Sequence, residues 1–327
     1  GIHSGDSACS LPTYSLPGPV VQEIREATTA LAKELGVVGL MNVQYAVRWE
    51  ARDQRSGIRG QKTEVGSQGA VSTTSADLRP PTSDLFPVVY VLEVNPRASR
   101  TVPFVAKATG LPAARIAVKV MAGVSLAEQG ITKNPVPFDV SVKEAVLPFI
   151  KFTGVDIVLG PEMRSTGEVM GISERFSMAF AKSQLAAGTV LPQEGNILIS
   201  VANRHKPAAV ELARRLSGLG FSLFATSGTA DTLEAAGIVC RRLKKIQEGH
   251  PNVLDHFADD EVALVVNTPS GKGARTDEGR IRAAAVQAGV PCLTTIEAAT
   301  AAVKAIEALR AEEMQVQSLQ DRFAAAR

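Results

Sequence analysis

The stretch ILISVANRHKPAAVELARRLSGLGFSLFATSGT, residues 197–229, decides the fold of the C-terminal part. It opens on an apolar run, Ile197–Val201, and crosses a polar turn into a helical pattern over roughly Pro207–Leu219. It then returns to a second apolar run, Phe221–Ala225. The rhythm continues downstream. Strands are expected at Ile238–Arg242, Val262–Val266 and Pro291–Leu293, and helices at roughly Thr229–Ala236, Asp277–Ala288 and Ile296–Ala311. Alternation of this kind predicts a parallel sheet covered by helices on both faces. Past about Glu312 the residues are polar and helix-prone, and an exposed tail is expected.

Upstream of Gly188–Gly195, where Pro192 and Gly195 suggest a linker, the pattern is less regular. Pro19–Leu35 carries apolar residues at helical spacing and stops at Gly36. Val37–Val47 is a β-rich run. From about Trp49 to Phe86 the chain is rich in Ser, Thr, Gly, Arg and Gln without periodicity, so a flexible insertion is expected at about 49–86. Val88–Leu92 is an apolar strand, and the strands flanking the insertion are expected to pair as a hairpin. Helical patterns cover Phe104–Gly123 and Ser173–Ala187, with an irregular stretch at 147–171. The expectation is two domains, 1–189 and 190–327, of mixed α/β class.

Of the 327 residues, 45% are hydrophobic and 21% charged, the balance of a globular protein. A formal net charge of +2, without blocks of like charge, argues against nucleic acid as a partner. No apolar run approaches the length of a membrane span, and no basic segment precedes an apolar one at the start. Cys9, Cys240 and Cys292 are far apart with no paired spacing, which suggests a reducing compartment and no zinc site. A cytoplasmic location is expected. The chain enters at Gly1 directly into the dense motif GIHSGDSACS, so a fragment of a longer protein is also expected.

The chemistry centres on EVNPR, residues 93–97. Glu93 and Asn95 are two apart on a strand, so both side chains leave one face. Their oxygens are hard ligands suited to Mg²⁺ or Mn²⁺. Gln44 lies on the strand before the insertion and would reach the same ion if the two strands pair. Arg97 and Arg100 follow, with guanidinium forks suited to anionic groups. Alone, E-x-N-P-R also fits a polar strand end with a proline turn; Gln44 and the arginines favour a metal–phosphate edge.

These residues match a known family. EVNPRASRTVPFVAKATG (93–110) resembles the second ATP-grasp unit of the carbamoyl phosphate synthetase large subunit. So do HSGDSACSLP (3–12), GLMNVQYAV (39–47), SVKEAVLPF (141–149) and GPEMRSTGEVMG (160–171). The resemblance implies the C-terminal lobe of an ATP-grasp unit that phosphorylates carbamate to carbamoyl phosphate. It further implies ATP, Mg²⁺ or Mn²⁺, and K⁺ as a further ion. Gln44, Glu93 and Asn95 become metal ligands; Gly1, Ile2, His3, Ser4, Gln44 and Glu93 border the nucleotide; Arg97 and Arg100 face carbamate and the moving phosphoryl group. A lone loop histidine such as His3 is otherwise a structural or solvated residue. Cys9 reads as a small packed residue.

In the C-terminal part, Lys206 opens a helix, and Thr226-Ser227-Gly228-Thr229 and Asn267-Thr268-Pro269-Ser270-Gly271 form strand-to-helix turns. Small hydroxyl residues and free N–H groups at helix N-termini suit an anion, although Ser and Thr also simply cap helices. The segment resembles the methylglyoxal-synthase-like regulatory domain that ends the same large subunit. That resemblance implies nucleotide monophosphate effectors such as UMP and IMP, held by Lys206, Thr226, Thr229, Lys245, Asn267 and Thr268. It also implies ornithine at Asp6, Glu144 and Thr294. Pro269 and the 49–86 insertion depart from the family pattern, and Pro269, in place of a hydroxyl residue, removes one phosphate or ribose contact. Methylglyoxal synthase activity itself is not expected. The implied partners are a glutaminase small subunit, the rest of the large subunit and a homo-oligomer, in pyrimidine and arginine biosynthesis. Another ATP-grasp ligase is disfavoured by GPEMRSTGE and the attached regulatory segment. The competing reading is a nucleotide-sensing module without catalysis of its own.

Overall fold

A computed structural model describes residues 3–51, 85–137, 139–152, 157–244, 246–270 and 276–325. Most of the expected insertion, residues 52–84, lies outside them, as do Gly1, Ile2 and Lys245. In chain order the first half contains β1 (Cys9–Leu11), α1 (Gly18–Glu34), β2 (Asn42–Ala51), β3 (Leu85–Asn95), α2 (Val102–Thr109), α3 (Ala113–Met121), β4 (Val140–Val146), β5 (Gly167–Ser173) and α4 (Phe176–Ala186). The second contains β6 (Asn196–Ser200), α5 (Lys206–Gly218), β7 (Ser222–Thr226), α6 (Ser227–Ala235), β8 (Arg241–Leu243), α7 (Asp255–Ala258), β9 (Val262–Asn267), α8 (Asp277–Gln287), β10 (Cys292–Leu293), α9 (Ile296–Ala311) and α10 (Leu319–Ala325).

These elements form two compact units. The larger combines residues 1–12, 103–111 and 135–327; the smaller combines 13–102 and 112–134. In the larger unit, β6–β10 make a parallel five-stranded sheet in the order β10-β9-β6-β7-β8. The expected α/β class with a Rossmann-like parallel sheet is therefore present. The first strand, β6, sits between β7 and β9, so the chain winds outward in opposite directions on its two sides. That reversal leaves a crevice at the carboxyl ends of β6 and β9, the usual ligand position in such sheets. The core runs through Ile197, Ile199, Leu216, Leu233, Leu264 and Ile306, all at most 1% exposed.

An antiparallel three-stranded sheet, β1-β4-β5, belongs to the same unit. α4 packs on both β5 and α9, and Met178, Ala179, Phe180 and Ala181 join the core that covers the five-stranded sheet. Lys143 of β4 is 1% exposed and pairs with Glu168 of β5 at 2.9 Å. A buried charge of this kind is tolerable because it is paired.

Several sequence expectations change here. The single helix over Phe104–Gly123 is two helices, α2 and α3, because Gly110 takes φ +69° and Pro112 follows. Gly adopts that left-handed conformation without penalty, and a helix cannot run through it. The run from Val37 becomes strand only at Asn42, after Gly36 and Gly39 both turn to positive φ. The stretch called irregular contains part of β5. The tail past Glu312 is not free throughout, because Arg322 of α10 donates to Asp139 at 2.5 Å and the Phe323 ring lies against Gly110.

In the smaller unit, β2 and β3 form the expected antiparallel hairpin, from Asn42↔Asn95 to Ala51↔Leu85. α1 packs on β3, and the Thr28 hydroxyl lies 2.8 Å from the Tyr45 hydroxyl.

Candidate functional site

The hairpin of the smaller unit assembles the predicted metal edge. Gln44 stands directly opposite Glu93, and Asn42 opposite Asn95. Cross-strand partners of this kind hold their Cβ atoms about 5 Å apart on one face. The register slips between Gln44 and Tyr45, whose partner is Val91, so Leu92 is the extra residue of a β-bulge. Bulges re-aim side chains at strand ends. Asn95 Nδ2 donates to Glu93 Oε1 at 2.7 Å, which leaves the Asn95 carbonyl oxygen as an acceptor. Among the described residues no three His, Cys, Asp or Glu side chains cluster, and Glu93 is the carboxylate of this group. One carboxylate plus amide oxygens suits Mg²⁺ or Mn²⁺ that takes its remaining ligands from phosphate and water. Asn42, which sequence reasoning passed over, belongs to the same face. Its signal was spacing, since it precedes Gln44 by two.

Arg97 begins the turn after β3, where its N–H donates to Asn95 O at 2.8 Å and its side chain reaches Ala98 O at 3.2 Å. Arg97 and Arg100 are both exposed. The other predicted nucleotide contacts, His3 and Ser4, belong to the larger unit. His3 Nδ1 accepts the Gly5 N–H at 3.0 Å, and His3 O accepts from Asp6 N and Ser7 Oγ. The ring therefore helps to shape a tight turn, with its proton on Nε2.

That turn holds the predicted ornithine residue Asp6. Its carboxylate accepts from the backbone N–H groups of Arg164 and Ser165, both at 2.8 Å, and Ser165 Oγ donates to Gly5 O. Asp6 thus locks the 3–12 motif to the 160–171 motif. Burial pushes its carboxyl up, but the N–H bonds from Arg164 and Ser165, together with the Ser165 hydroxyl and His3, hold it below the usual carboxylate range. The sign follows: the ionised, hydrogen-bonded Asp6 stabilises the fold above the unfolded carboxylate range near pH ~4. That contribution fades as pH falls through the lowered native value. Asp6→Asn should therefore cost about 1–3 kcal/mol at pH 7, by turning an amide NH₂ toward a backbone donor. The difference from wild type should shrink on acidification, measured by urea unfolding at pH 7 and pH 3. An unchanged difference would remove the ionised clamp.

The turn packs against β4, where Glu144 accepts from Gln184 Nε2 at 2.5 Å and from Ala145 N at 3.0 Å. Burial pushes the Glu144 carboxyl up, and the hydrogen bonds from Ala145 and Gln184 only partly offset it. Thr294 follows β10.

The nucleotide residues meet in part. A cavity of about 490 Å³ opens at the strand ends of the five-stranded sheet, lined among others by Lys206, Thr226, Gly228 and Thr229. A methyl group added at Gly228 would lie 3.3 Å from Lys206 Nζ, so the ammonium sits beside the start of α6. The α6 N-terminus has no side-chain cap, and its first N–H groups lack helical partners. Thr229 Oγ1 accepts from Val201 N at 3.2 Å, which turns its own proton elsewhere. Thr226 Oγ1 lies 3.0 Å from Ser200 Oγ. One ammonium, a helix N-terminus and nearby hydroxyl groups are chemistry suited to an anion. The opposite wall is acidic: Asp277 and Glu278 of α8, with Ser270 Oγ donating to Glu278 at 2.5 Å. Sequence reasoning missed this wall. Asn267 and Thr268 do not line the cavity; both are fully buried behind it, where Thr268 Oγ1 accepts from Ala202 N at 2.9 Å.

Comparison with known proteins agrees with both parts. A family profile described as "Carbamoyl-phosphate synthase L chain, ATP binding domain" matches residues 83–129, and one described as "MGS-like domain" matches 208–294. The carbamoyl phosphate synthase large chain of Rhodopirellula baltica is 58% identical over 99% of this chain and 27% of its own length. Those of Myxococcus xanthus and a Nostoc species are each 45% identical over 98% of this chain and 26% of their own. The chain spans about a quarter of the length of these relatives. No helix among the described residues is long and apolar enough to cross a membrane.

Proposed function

Since this chain is homologous along 99% of its length to carbamoyl phosphate synthase large chains, we propose that it carries the phosphate-facing edge of their carbamate-phosphorylating ATP site together with an effector-binding domain. Residues 1–189 would belong to the ATP-grasp part and 190–327 to the regulatory part. The observation that carries the catalytic half is Gln44 opposite Glu93, with the Asn95 amide on the Glu93 carboxylate. Phosphoryl transfer depends on positioning and charge neutralisation more than on covalent help. Gln44, Glu93 and Asn95 would hold Mg²⁺ or Mn²⁺, which when bound neutralises charge on the ATP phosphates. Arg97 and Arg100 would hold the carbamate and the transferring group through their guanidinium forks. His3 and Ser4 would border the nucleotide. Within the complete enzyme, ammonia would come from a glutaminase small subunit, and the product would feed pyrimidine and arginine synthesis in the cytoplasm. K⁺ and self-association belong to the same proposal.

The regulatory half rests on Lys206 beside the uncapped start of α6. A nucleoside monophosphate such as UMP or IMP would place its phosphate there, with Thr226 and Thr229 nearby and Asn267 and Thr268 behind; the expected contact from Lys245 lies outside the described residues. Ornithine, a cation at neutral pH, would suit the carboxylates of Asp6 and Glu144, with Thr294 a third contact. Calorimetry on the 327-residue chain tests the nucleotide site. Lys206→Met should weaken UMP or IMP binding about tenfold or more, the loss of one charge-assisted phosphate contact. Absence of binding by the unaltered chain would overturn this half.

A second reading has its own support. The described lining residues of the cavity all belong to the larger unit, whereas the residues expected at the ATP edge are divided between the two units. Alone, the chain would then bind effectors without turning over ATP.

A further inference from the structure

The last helix, α10, folds back onto a distant part of the chain. Ser318 starts it: its Oγ accepts the Asp321 N–H at 3.1 Å and donates to Asp321 Oδ2 at 2.6 Å. A helix of seven residues gains little from its own hydrogen bonds, so outside contacts must hold it. Two consecutive residues anchor it. Arg322 Nε donates at 2.5 Å to Asp139 Oδ2, 183 positions upstream, and the two side chains are 16% and 6% exposed. An ion pair this far from water is costly to break, because it leaves a buried charge behind. The Phe323 ring lies against Gly110, where a Cβ would stand 3.0 Å from Phe323 Cε1. Glycine is what lets the ring come so close.

Gly110 directly follows α2, an eight-residue helix that buries Phe104 and Ala108. These two are four apart and share one stripe. A short helix held along one stripe can roll about it, and a ring wedged at its C-terminal end opposes that roll. At its other end the chain enters α2 straight from the turn that carries Arg97 and Arg100, and Val102 N donates to Ser99 O at 3.2 Å. A roll of α2 would therefore move the arginines. We propose that α10 is a strap that positions Arg97 and Arg100: Arg322, seated on Asp139, sets Phe323 against Gly110, and α2 so held fixes the arginine turn. This rests on the reading of that turn as the site for carbamate and the transferring phosphoryl group. Arg322 and Phe323 act through α2 and not on substrate.

ATP synthesis from ADP and carbamoyl phosphate, in a large chain that carries this sequence in full, tests the strap. Phe323→Ala and Arg322→Met should each raise KM for carbamoyl phosphate about tenfold and lower kcat, since small misplacement of a positioning group is costly. KM for ADP should stay within about twofold, because Gln44 and Glu93 are set by the β2–β3 pairing and not by α2. Arg322→Lys keeps a cation beside Asp139 and should recover most of the loss. Phe323→Leu keeps an apolar contact without the ring and should raise KM for carbamoyl phosphate about threefold; it carries the test if the larger changes prevent folding. A lowered melting temperature with unchanged kinetics, or equal rises in both KM values, would make α10 a structural contact only and overturn the proposal. No ATP synthesis by the unaltered chain would instead remove the reading of the arginine turn on which the proposal stands.

Discussion

Glu93→Ala, in a large chain that carries this sequence in full, is expected to lower ATP synthesis from ADP and carbamoyl phosphate by a factor on the order of 10³. The expectation follows from the composition of the hairpin face. Gln44, Asn95 and Asn42 offer neutral amide oxygens, and Glu93 supplies the negative charge that a divalent cation needs there. Without it, amide oxygens alone hold a strongly hydrated cation poorly. Glu93→Gln separates charge from shape, because its amide oxygen can still accept from Asn95 and the strand pairing is untouched. It should lose about 10²-fold in rate, and part of that loss should return at high Mn²⁺. Glu93 is exposed, so neither variant should shift unfolding by more than about 0.5 kcal/mol. Activity within twofold of the parent in Glu93→Ala would remove the metal assignment.

The hairpin shows what a sequence can and cannot carry. The pairing of β2 with β3 was legible because two apolar runs flank an aperiodic segment, and the shared face of Glu93 and Asn95 follows from spacing alone. The bulge at Leu92 was not. Nothing in VYVLEVN marks which residue is extra, and yet that residue sets Gln44 opposite Glu93 instead of Leu92. The parallel sheet was legible for a similar reason: its interior strands β6, β7 and β9 are apolar runs bounded by turns, as strands buried on both faces must be, whereas the edge strand β8 is Arg241-Arg242-Leu243 and starts three residues later than expected. β4 and β5 lack that signal. Their interior includes Lys143 and Glu168, a pair that only the fold makes tolerable, and Gly167 and Gly171, which read as loop residues. The cavity at the sheet edge was half legible. Thr226, Gly228 and Thr229 mark a strand-to-helix turn by type and order. Its acidic wall and the burial of Asn267 and Arg282 depend on how α8 lies over β9, which no local pattern states.

Gly171 gives the second large effect. A Cβ built there would lie 2.1 Å from Ala179 O, 2.6 Å from Ser183 N and 2.7 Å from Lys182 Cβ. These are atoms of α4, two of them backbone, so no side-chain rotation relieves the clash. Glycine at this position is required by close approach, and its φ is not left-handed. α4 has little room to retreat. Lys182 Nζ donates to Ile172 O at 3.1 Å on one side, and on the other Ala179 and Phe180 enter the core shared with α9. Gly171→Ala should therefore destabilise the larger unit by about 3 kcal/mol or more, which corresponds to a melting temperature lower by roughly 10 °C. Gly171→Val should prevent stable folding of that unit. Gly218, where an added Cβ meets nothing within 4 Å, provides the control; its alanine variant should be neutral or gain a few tenths of a kcal/mol from helix propensity. Calorimetric melting of the two alanine variants side by side decides the matter. Because Gln184 of α4 holds Glu144, displacement of the helix should also loosen that carboxylate. A Gly171→Ala chain that melts with the parent would mean that α4 shifts freely on β5, and the arrangement of Glu144 would then not depend on this contact.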